Sequence, residues 1–142
     1  MDSTASNAPL PVGLYPAARR VGNLLFVSGV GPRMPKSDAS AQSVPGLVLD
    51  AAGNYTAFDF EAQVHSVFAN VKTILEENGA RWEDLVDITV FLTDMRRDFA
   101  TFNALYSQYF DQMDVRPCRT TVEVSALPTP IAVECKVIAA FS

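Results

Sequence analysis

Two stretches of the chain carry apolar residues at the spacing of an amphipathic helix. The first begins near Thr56 or Asp59 and ends at Asn78-Gly79, where glycine favours a left-handed C-terminal cap. The second follows Asp98, which can serve as its N-cap. The apolar positions are Phe60, Val64, Val67, Phe68, Val71, Ile74 and Leu75, then Phe99, Phe102, Leu105, Tyr106, Tyr109 and Phe110. The pattern predicts two helices, each of which buries one stripe.

Shorter apolar runs and strict alternation predict the strands. The run Val21–Val30, with Leu24 to Val27 at its centre, lies between glycine-containing turns and is typical of a buried strand. Residues 46–50 can add a strand, followed by a turn at 51–54. Val86 to Leu92 alternates between apolar and other residues, as a strand does.

The C-terminal segment has two further strand-like runs, Thr120–Ser125 and Ile131–Phe141, separated by Leu127-Pro128-Thr129-Pro130. The two prolines exclude a helix there and favour a turn, so an antiparallel pair is expected. In chain order the elements predict an α+β fold, a mixed sheet with two helices packed on one face. The other face then needs a partner or a polar surface, which favours an oligomer.

A single domain spanning residues 1–142 is expected, because no Ser/Gly/Pro-rich linker divides the chain. Hydrophobic residues form 49% of the sequence, enough for a packed core. Residues 1–8 are expected to be flexible. The segment 32–45, rich in Pro, Ser, Asp and Ala, is expected to be an exposed loop.

Charge and composition narrow the class of ligand. The net charge is −5 and no basic run occurs, so neither nucleic acid nor an anionic membrane is an expected partner. Two cysteines outside any CxxC pattern and one histidine predict no metal site. No basic and apolar leader and no long apolar run is present, so the cytoplasm is the expected location. The expected ligand is a small molecule.

Two charged residues in strands are the main candidates for chemistry. Arg119 heads a strand, where its guanidinium can offer a planar fork to a carboxylate; a surface ion pair is the alternative. Glu134 lies in the most apolar strand, where burial would suit it to move protons. Its alternative is the strand's solvent face, because Ala132, Glu134 and Lys136 share one side.

Other candidates have weaker support. Tyr15 and Asn103 are as readily explained by packing or capping. Cys118 would need His65 to activate it, and nothing in the sequence places them together. Ser28-Gly29 lacks the GxSxG frame of a nucleophile elbow, which disfavours an acyl-transfer hydrolase.

Several separated motifs resemble the RidA (YjgF) family, from about Ala8 to Phe141. The C-terminal block is the most specific: Arg116-Pro117-Cys118-Arg119-Thr120-Thr121-Val122-Glu123-Val124, Leu127-Pro128 and Val133-Glu134. The others are Gly13-Leu14-Tyr15, the run from Val21 to Gly29, Asn70-Val71-Lys72, Glu77-Asn78-Gly79-Ala80, the run from Thr89 to Met95 and the run from Phe99 to Tyr106.

The resemblance implies a chorismate-mutase-like fold and a homotrimer with sites between subunits. It also implies hydrolysis of reactive enamines and imines derived from amino acids, without metal or organic cofactor. By position, Arg119 would bind the substrate carboxylate and Glu134 would activate water. The residues that would line the cleft are Tyr15, Ser28, Gly29, Asn103 and Thr121.

The chain departs from common family members at Thr121, where they have Cys, and at Val30, where they have Gln. The longer segment between Gly31 and Asn54 and the Tyr-Pro-Ala-Ala-Arg-Arg run resemble the 2-aminomuconate deaminase branch. That branch implies conversion of 2-aminomuconate to 4-oxalocrotonate (2-hydroxymuconate) and ammonia in aromatic degradation. The candidates for binding its second carboxylate are Arg19, Arg20, Arg33 and Arg116.

Two alternatives stay open. One is a general 2-iminopropanoate/2-aminoacrylate deaminase that uses the same Arg119 and Glu134. The other is a non-enzymatic trimer that binds small carboxylates, because a fold does not by itself determine a function.

Overall fold

A computed structural model describes residues 6–35, 43–128 and 130–142. The two helices are α1 (Phe60–Glu77) and α2 (Met95–Phe110). The strands are β1 (Ala18–Val21), β2 (Leu24–Val27), β3 (Val48–Leu49), β4 (Tyr55–Ala57), β5 (Leu85–Leu92), β6 (Cys118–Glu123) and β7 (Val133–Ala140). The expected fold, a mixed sheet with two packed helices, is confirmed.

Five of the strands form one sheet in the order β1-β2-β7-β5-β6, while β3 and β4 form a small separate hairpin. Only β5 and β6 run parallel; the other neighbours are antiparallel. The hairpin of β1 and β2 turns through Gly22 and Asn23, and Gly22 has a φ of 61°, a conformation that glycine adopts without strain.

The core lies between the sheet and the helices. Alternate residues of the central strands, including Val90 and Leu92 in β5 and Cys135 and Val137 in β7, are fully buried there. Phe68 of α1 is at the centre of an aromatic cluster. Its ring neighbours are Trp82, Phe102, Tyr106, Tyr109 and Phe110.

The expected antiparallel pairing of the last two strands is wrong. The strand β5 lies between them and pairs parallel with β6 and antiparallel with β7. The connection from β5 to β6 runs through α2, a helical crossover that returns the chain in the same direction. The proline-rich turn therefore joins two strands that are not neighbours.

The start of α2 differs from the expectation as well. Asp94, not Asp98, is the N-cap, and its carboxylate accepts a 3.0 Å hydrogen bond from the amide of Arg97. Asp98 lies inside the first turn, is buried, and accepts two hydrogen bonds from the Arg97 guanidinium. Of the two starts expected for α1, near Thr56 or Asp59, the structure has the later one: Asp59 is the N-cap and accepts from the amide of Ala62, whereas Thr56 lies in β4.

The sequence pattern did not predict β1 or β4, because strands of four and three residues are too short to show a clear period.

The expectation of an exposed loop at 32–45 is wrong at its two ends. Pro32, Arg33, Ser43 and Val44 are buried, and the amide of Met34 donates to the Ser43 carbonyl, which closes the base of the segment. Residues 36–42 lie outside the described part of the chain.

At the N-terminus, residues 6–8 are held rather than free, because Ser6 and Asn7 both donate to the carboxylate of Glu77. Residues 1–5 lie outside the described ranges.

Candidate active site

Glu134 projects from the sheet face opposite the helices. Its neighbours Val133 and Cys135 are buried in the core, so the alternation of β7 directs Glu134 to the other side. The side chain is only partly exposed. Burial raises the pKa of the Glu134 carboxyl, and the charge of Arg33 lowers it in part. A carboxylate with a raised pKa is suited to exchange protons near neutral pH.

Gly29 lies directly against the Glu134 carboxylate. A Cβ at position 29 would overlap Oε1 of Glu134 and would lie 3.0 Å from its Cδ. The bridge between Val30 and Cys135 holds this segment on β7 through two hydrogen bonds, of 2.7 and 3.0 Å. The absence of a side chain at Gly29 therefore leaves the space that the carboxylate occupies.

Tyr15, Gly29 and Glu134 line one cleft of about 70 Å³, together with Val12, Gly31, Arg33, Pro128 and Ile131. The structure thus brings three of the expected site residues together. Ser28 lies beside Gly29, but its hydroxyl donates to the Pro16 carbonyl at 2.8 Å. This hydrogen bond ties Ser28 to the segment that carries Tyr15, and Ser28 and Tyr15 both line an adjoining cavity.

Arg119 occupies a second place, on the edge strand β6. Its guanidinium carbon lies 4.6 Å from the centre of the Tyr106 ring and 5.7 Å from that of Phe102, both in α2. Thr121, two residues along, faces the same way. Its Oγ1 is buried and has no hydrogen-bond partner among the described residues. Asn103 follows Phe102 in α2, in the helix that packs against Arg119.

Within one protomer, Arg119 and Glu134 lie on opposite faces of the sheet. The register pairs Arg119 with Ile88, a core residue, whereas Glu134 pairs with Phe91 on the other face. Side chains of in-register neighbours point to the same side of a sheet. One protomer therefore does not bring the guanidinium and the carboxylate into a common cleft.

Sequence reasoning missed Asn70, which supports the wall of the Glu134 cleft. Asn70 is 3% exposed, and its Nδ2 donates to the carbonyls of Gly31 at 3.0 Å and Arg33 at 2.8 Å. A signal was present: Gln63 and Asn70 interrupt the apolar stripe of α1. Buried amides in such a stripe usually bind backbone groups.

The remaining candidates lie elsewhere. His65 hydrogen-bonds the hydroxyl of Tyr109 between the two helices, and Cys118 is exposed at the start of β6. Cys135 is buried, and burial raises the pKa of its thiol to about 12. Among residues 6–35, 43–128 and 130–142, no group of three or more His, Cys, Asp or Glu side chains is placed to hold a metal ion. No helix in those ranges has the length and apolarity needed to cross a bilayer.

Comparison with known proteins places this arrangement in context. A family model described as Endoribonuclease L-PSP matches residues 5–141. A RutC family protein of Pyrococcus abyssi is 39% identical over 132 residues, 93% of this chain and 90% of the relative. The 2-iminobutanoate/2-iminopropanoate deaminase of Escherichia coli is 35% identical over 134 residues, 94% of this chain and 91% of the relative.

Solved structures agree with that similarity. The YjgF gene product from E. coli superposes with a TM-score of 0.74 at 34% identity, over 98% of both chains. E. coli TdcF with bound serine superposes with a TM-score of 0.76 at 31% identity, over 98% of this chain and 97% of that one.

Proposed function

The chain belongs to the RidA/YjgF family, matched as Endoribonuclease L-PSP, and on that premise we propose that it hydrolyses the C–N bond of an enamine or imine carboxylate. The main support for the proposal is the position of the Glu134 carboxylate. A carboxylate with a raised pKa lies in a cleft, against the bare backbone of Gly29, where water and a small substrate can reach it.

The chemistry needs only proton transfers. An enamine takes a proton at carbon to become an imine, and water then adds to the imine carbon while Glu134 accepts the proton of that water. Proton transfer to nitrogen converts the resulting carbinolamine into a form that expels ammonia. The hydroxyl oxygen becomes the carbonyl of the product, so one water is consumed and one ammonia is released.

Arg119 is proposed to bind the substrate carboxylate through its two parallel N–H groups. Thr121 faces the same way as Arg119 on β6 and is proposed to line the same carboxylate pocket. Because Arg119 and Glu134 lie on opposite faces of one sheet, we propose that a homotrimer brings them together, with each site between two subunits.

The proposed substrate is 2-aminomuconate. Its support is the resemblance of the segment between Gly31 and Asn54 and of the Tyr-Pro-Ala-Ala-Arg-Arg run to that branch, with Thr121 and Val30 in place of Cys and Gln. The second candidate is 2-iminopropanoate, which is favoured by the similarity to the 2-iminobutanoate/2-iminopropanoate deaminase of E. coli.

The test is ammonia release from freshly generated 2-aminomuconate, corrected for spontaneous hydrolysis, by wild type, Arg119→Ala and Glu134→Gln. We expect fast release by wild type and a loss of at least about a hundredfold in both variants, as for groups that position substrate or move protons. The same assay with 2-iminopropanoate compares the two substrates.

Other results of this assay would change the proposed function. If wild type clears only 2-iminopropanoate, the chain is a general deaminase. If it clears neither substrate faster than buffer does, the deaminase proposal is wrong and the carboxylate-binding trimer is left. Full activity of Glu134→Gln would contradict the role assigned to that carboxylate.

A further inference from the structure

Four arginines are candidates for binding a second carboxylate of the substrate. Of these four, only Arg33 lines the cleft that holds Glu134. It is 8% exposed and shares that cleft with Tyr15, Gly29 and Glu134. Burial raises the pKa of the Glu134 carboxyl, and the charge of Arg33 offsets part of that rise. The guanidinium is therefore within electrostatic range of the group proposed to activate water.

The other three arginines have different positions. Arg19 and Arg20 are exposed on β1, and the Arg20 guanidinium donates to the Gly22 carbonyl and lies 4.0 Å from the centre of the Phe141 ring. Arg116 is exposed and donates to the carbonyls of Phe110 and Asp111, near the end of α2. None of the three lines the cleft that holds Glu134.

The backbone of Arg33 is held in place by α1. Asn70 donates to its carbonyl at 2.8 Å and Ser66 donates to the same oxygen at 3.4 Å. The Arg33 amide donates to the Gly31 carbonyl, which Asn70 also binds. A buried amide thus fixes the turn on which the guanidinium is mounted, as expected for a group that must be positioned before a ligand arrives.

We propose that Arg33 binds a second anionic group of the substrate, so that the cleft selects an unsaturated amino acid with two carboxylates over one with a single carboxylate. This inference rests on the proposed function and deepens it. A guanidinium has five N–H donors, so it can keep contacts within the protein and still present a fork to a carboxylate. Arg119 binds the carboxylate next to the reacting carbon, and Arg33 binds the distal one.

The experiment compares kcat/KM for 2-aminomuconate and 2-iminopropanoate in wild type, Arg33→Met, Arg33→Lys and Arg19→Met. Methionine keeps the apolar stem of arginine without its charge, and Arg19→Met removes an exposed arginine as the matched control. For Arg33→Met we expect the ratio of the two kcat/KM values to shift by at least about thirtyfold against 2-aminomuconate. Lysine keeps the charge but not the fork, so a smaller shift is expected. The control should keep the wild-type ratio.

The ratio of the two kcat/KM values distinguishes two effects of an Arg33 substitution. Loss of binding to the distal carboxylate lowers kcat/KM for 2-aminomuconate alone, whereas a disturbance of Glu134 lowers it for both substrates. An equal loss on both substrates in Arg33→Met would show that Arg33 acts through Glu134 or the fold and would overturn the inference. An unchanged ratio in Arg33→Met and Arg33→Lys, or a shift in Arg19→Met instead, would overturn it also.

The activity of the wild-type protein on the two substrates shows which of the two proposals fails, if one does. If wild type clears 2-iminopropanoate but not 2-aminomuconate, selection for two carboxylates is wrong while the deaminase proposal stands. If wild type clears neither, the proposed function itself fails. If Arg33→Met does not fold, the comparison is made with Arg33→Lys, which retains a cation at the same position.

Discussion

The carboxylate of Glu134 occupies the space that a side chain at Gly29 would fill. Val30 pairs with Cys135 on the adjoining strand, so the backbone of Gly29 is pressed against β7 at the level of Glu134. The glycine is needed here for close approach, not for an unusual backbone angle. Its effect on function can therefore be separated from its effect on folding.

For Gly29→Ala we expect a large loss of activity with little change in stability. The added methyl overlaps the end of the Glu134 side chain, which can move aside and so leave the position proposed for proton transfer. A drop in kcat of about a hundredfold is expected for a displaced proton-transfer group. The comparison is Gly31→Ala, which adds a methyl in the same cleft, against the flexible end of Ile131 at 3.2 Å, without touching Glu134. Equal activity losses in the two variants, or unfolding of Gly29→Ala, would contradict this explanation.

Mixing two inactive variants tests whether each site needs two subunits. Arg119→Ala and Glu134→Gln, unfolded together and refolded at equal concentration, should regain activity, because an intact Arg119 can then meet an intact Glu134 across an interface. With random assembly into trimers, about a quarter of the sites are intact. The measurement is deaminase activity before and after co-refolding, with each variant refolded alone as the control. No recovery would indicate that both residues act within one protomer.

The stability of Glu134→Gln relative to wild type should depend on pH. Because the native pKa of Glu134 lies above its ordinary value of 4.5, the native state binds more protons than the unfolded state above that pH. Wild-type stability therefore falls as pH rises from 4.5 through the native pKa. The neutral glutamine escapes this penalty, so the variant should melt at a higher temperature at neutral pH.

Thermal unfolding across the acidic and neutral range measures this effect. The difference in melting temperature should shrink as the pH falls and disappear well below pH 4.5, where the Glu134 carboxyl is protonated in both states. The exposed Glu76→Gln in α1 provides the control and should show only a small difference throughout. A variant that is less stable than wild type at neutral pH would show that Glu134 is held by favourable contacts instead.

Asn70→Ala should destabilise the protein by about 1–3 kcal/mol, because the carbonyls of Gly31 and Arg33 lose a buried donor. Urea unfolding measures the change in free energy. Asn78→Ala is the matched control: its amide also donates to a carbonyl, that of Ile74, but at the exposed end of α1. That variant should lose less than about 1 kcal/mol. Similar losses in the two variants would argue against a special role for Asn70.

Local patterns in the sequence determined much of this protein. The helical period places α1, although only the structure chooses Asp59 over Thr56 as its start. The alternation of residues 133–137 directs Glu134 away from the core, and its carboxylate stands out in an apolar strand. These are properties of residues close together in the chain, where backbone geometry links spacing to direction. The start of α2 was misplaced by one turn because Asp94 and Asp98 both suit a cap, and only the packing of the helix selects between them.

Only the tertiary structure decided which distant segments meet. It inserts β5 between the last two strands, presses Gly29 against Glu134, and brings Arg33, but not Arg19, Arg20 or Arg116, to the cleft that Glu134 lines. It also separates Arg119 from Glu134 by the thickness of the sheet. Such contacts join residues tens of positions apart, and they are determined by the joint packing of the whole core, which no local period encodes.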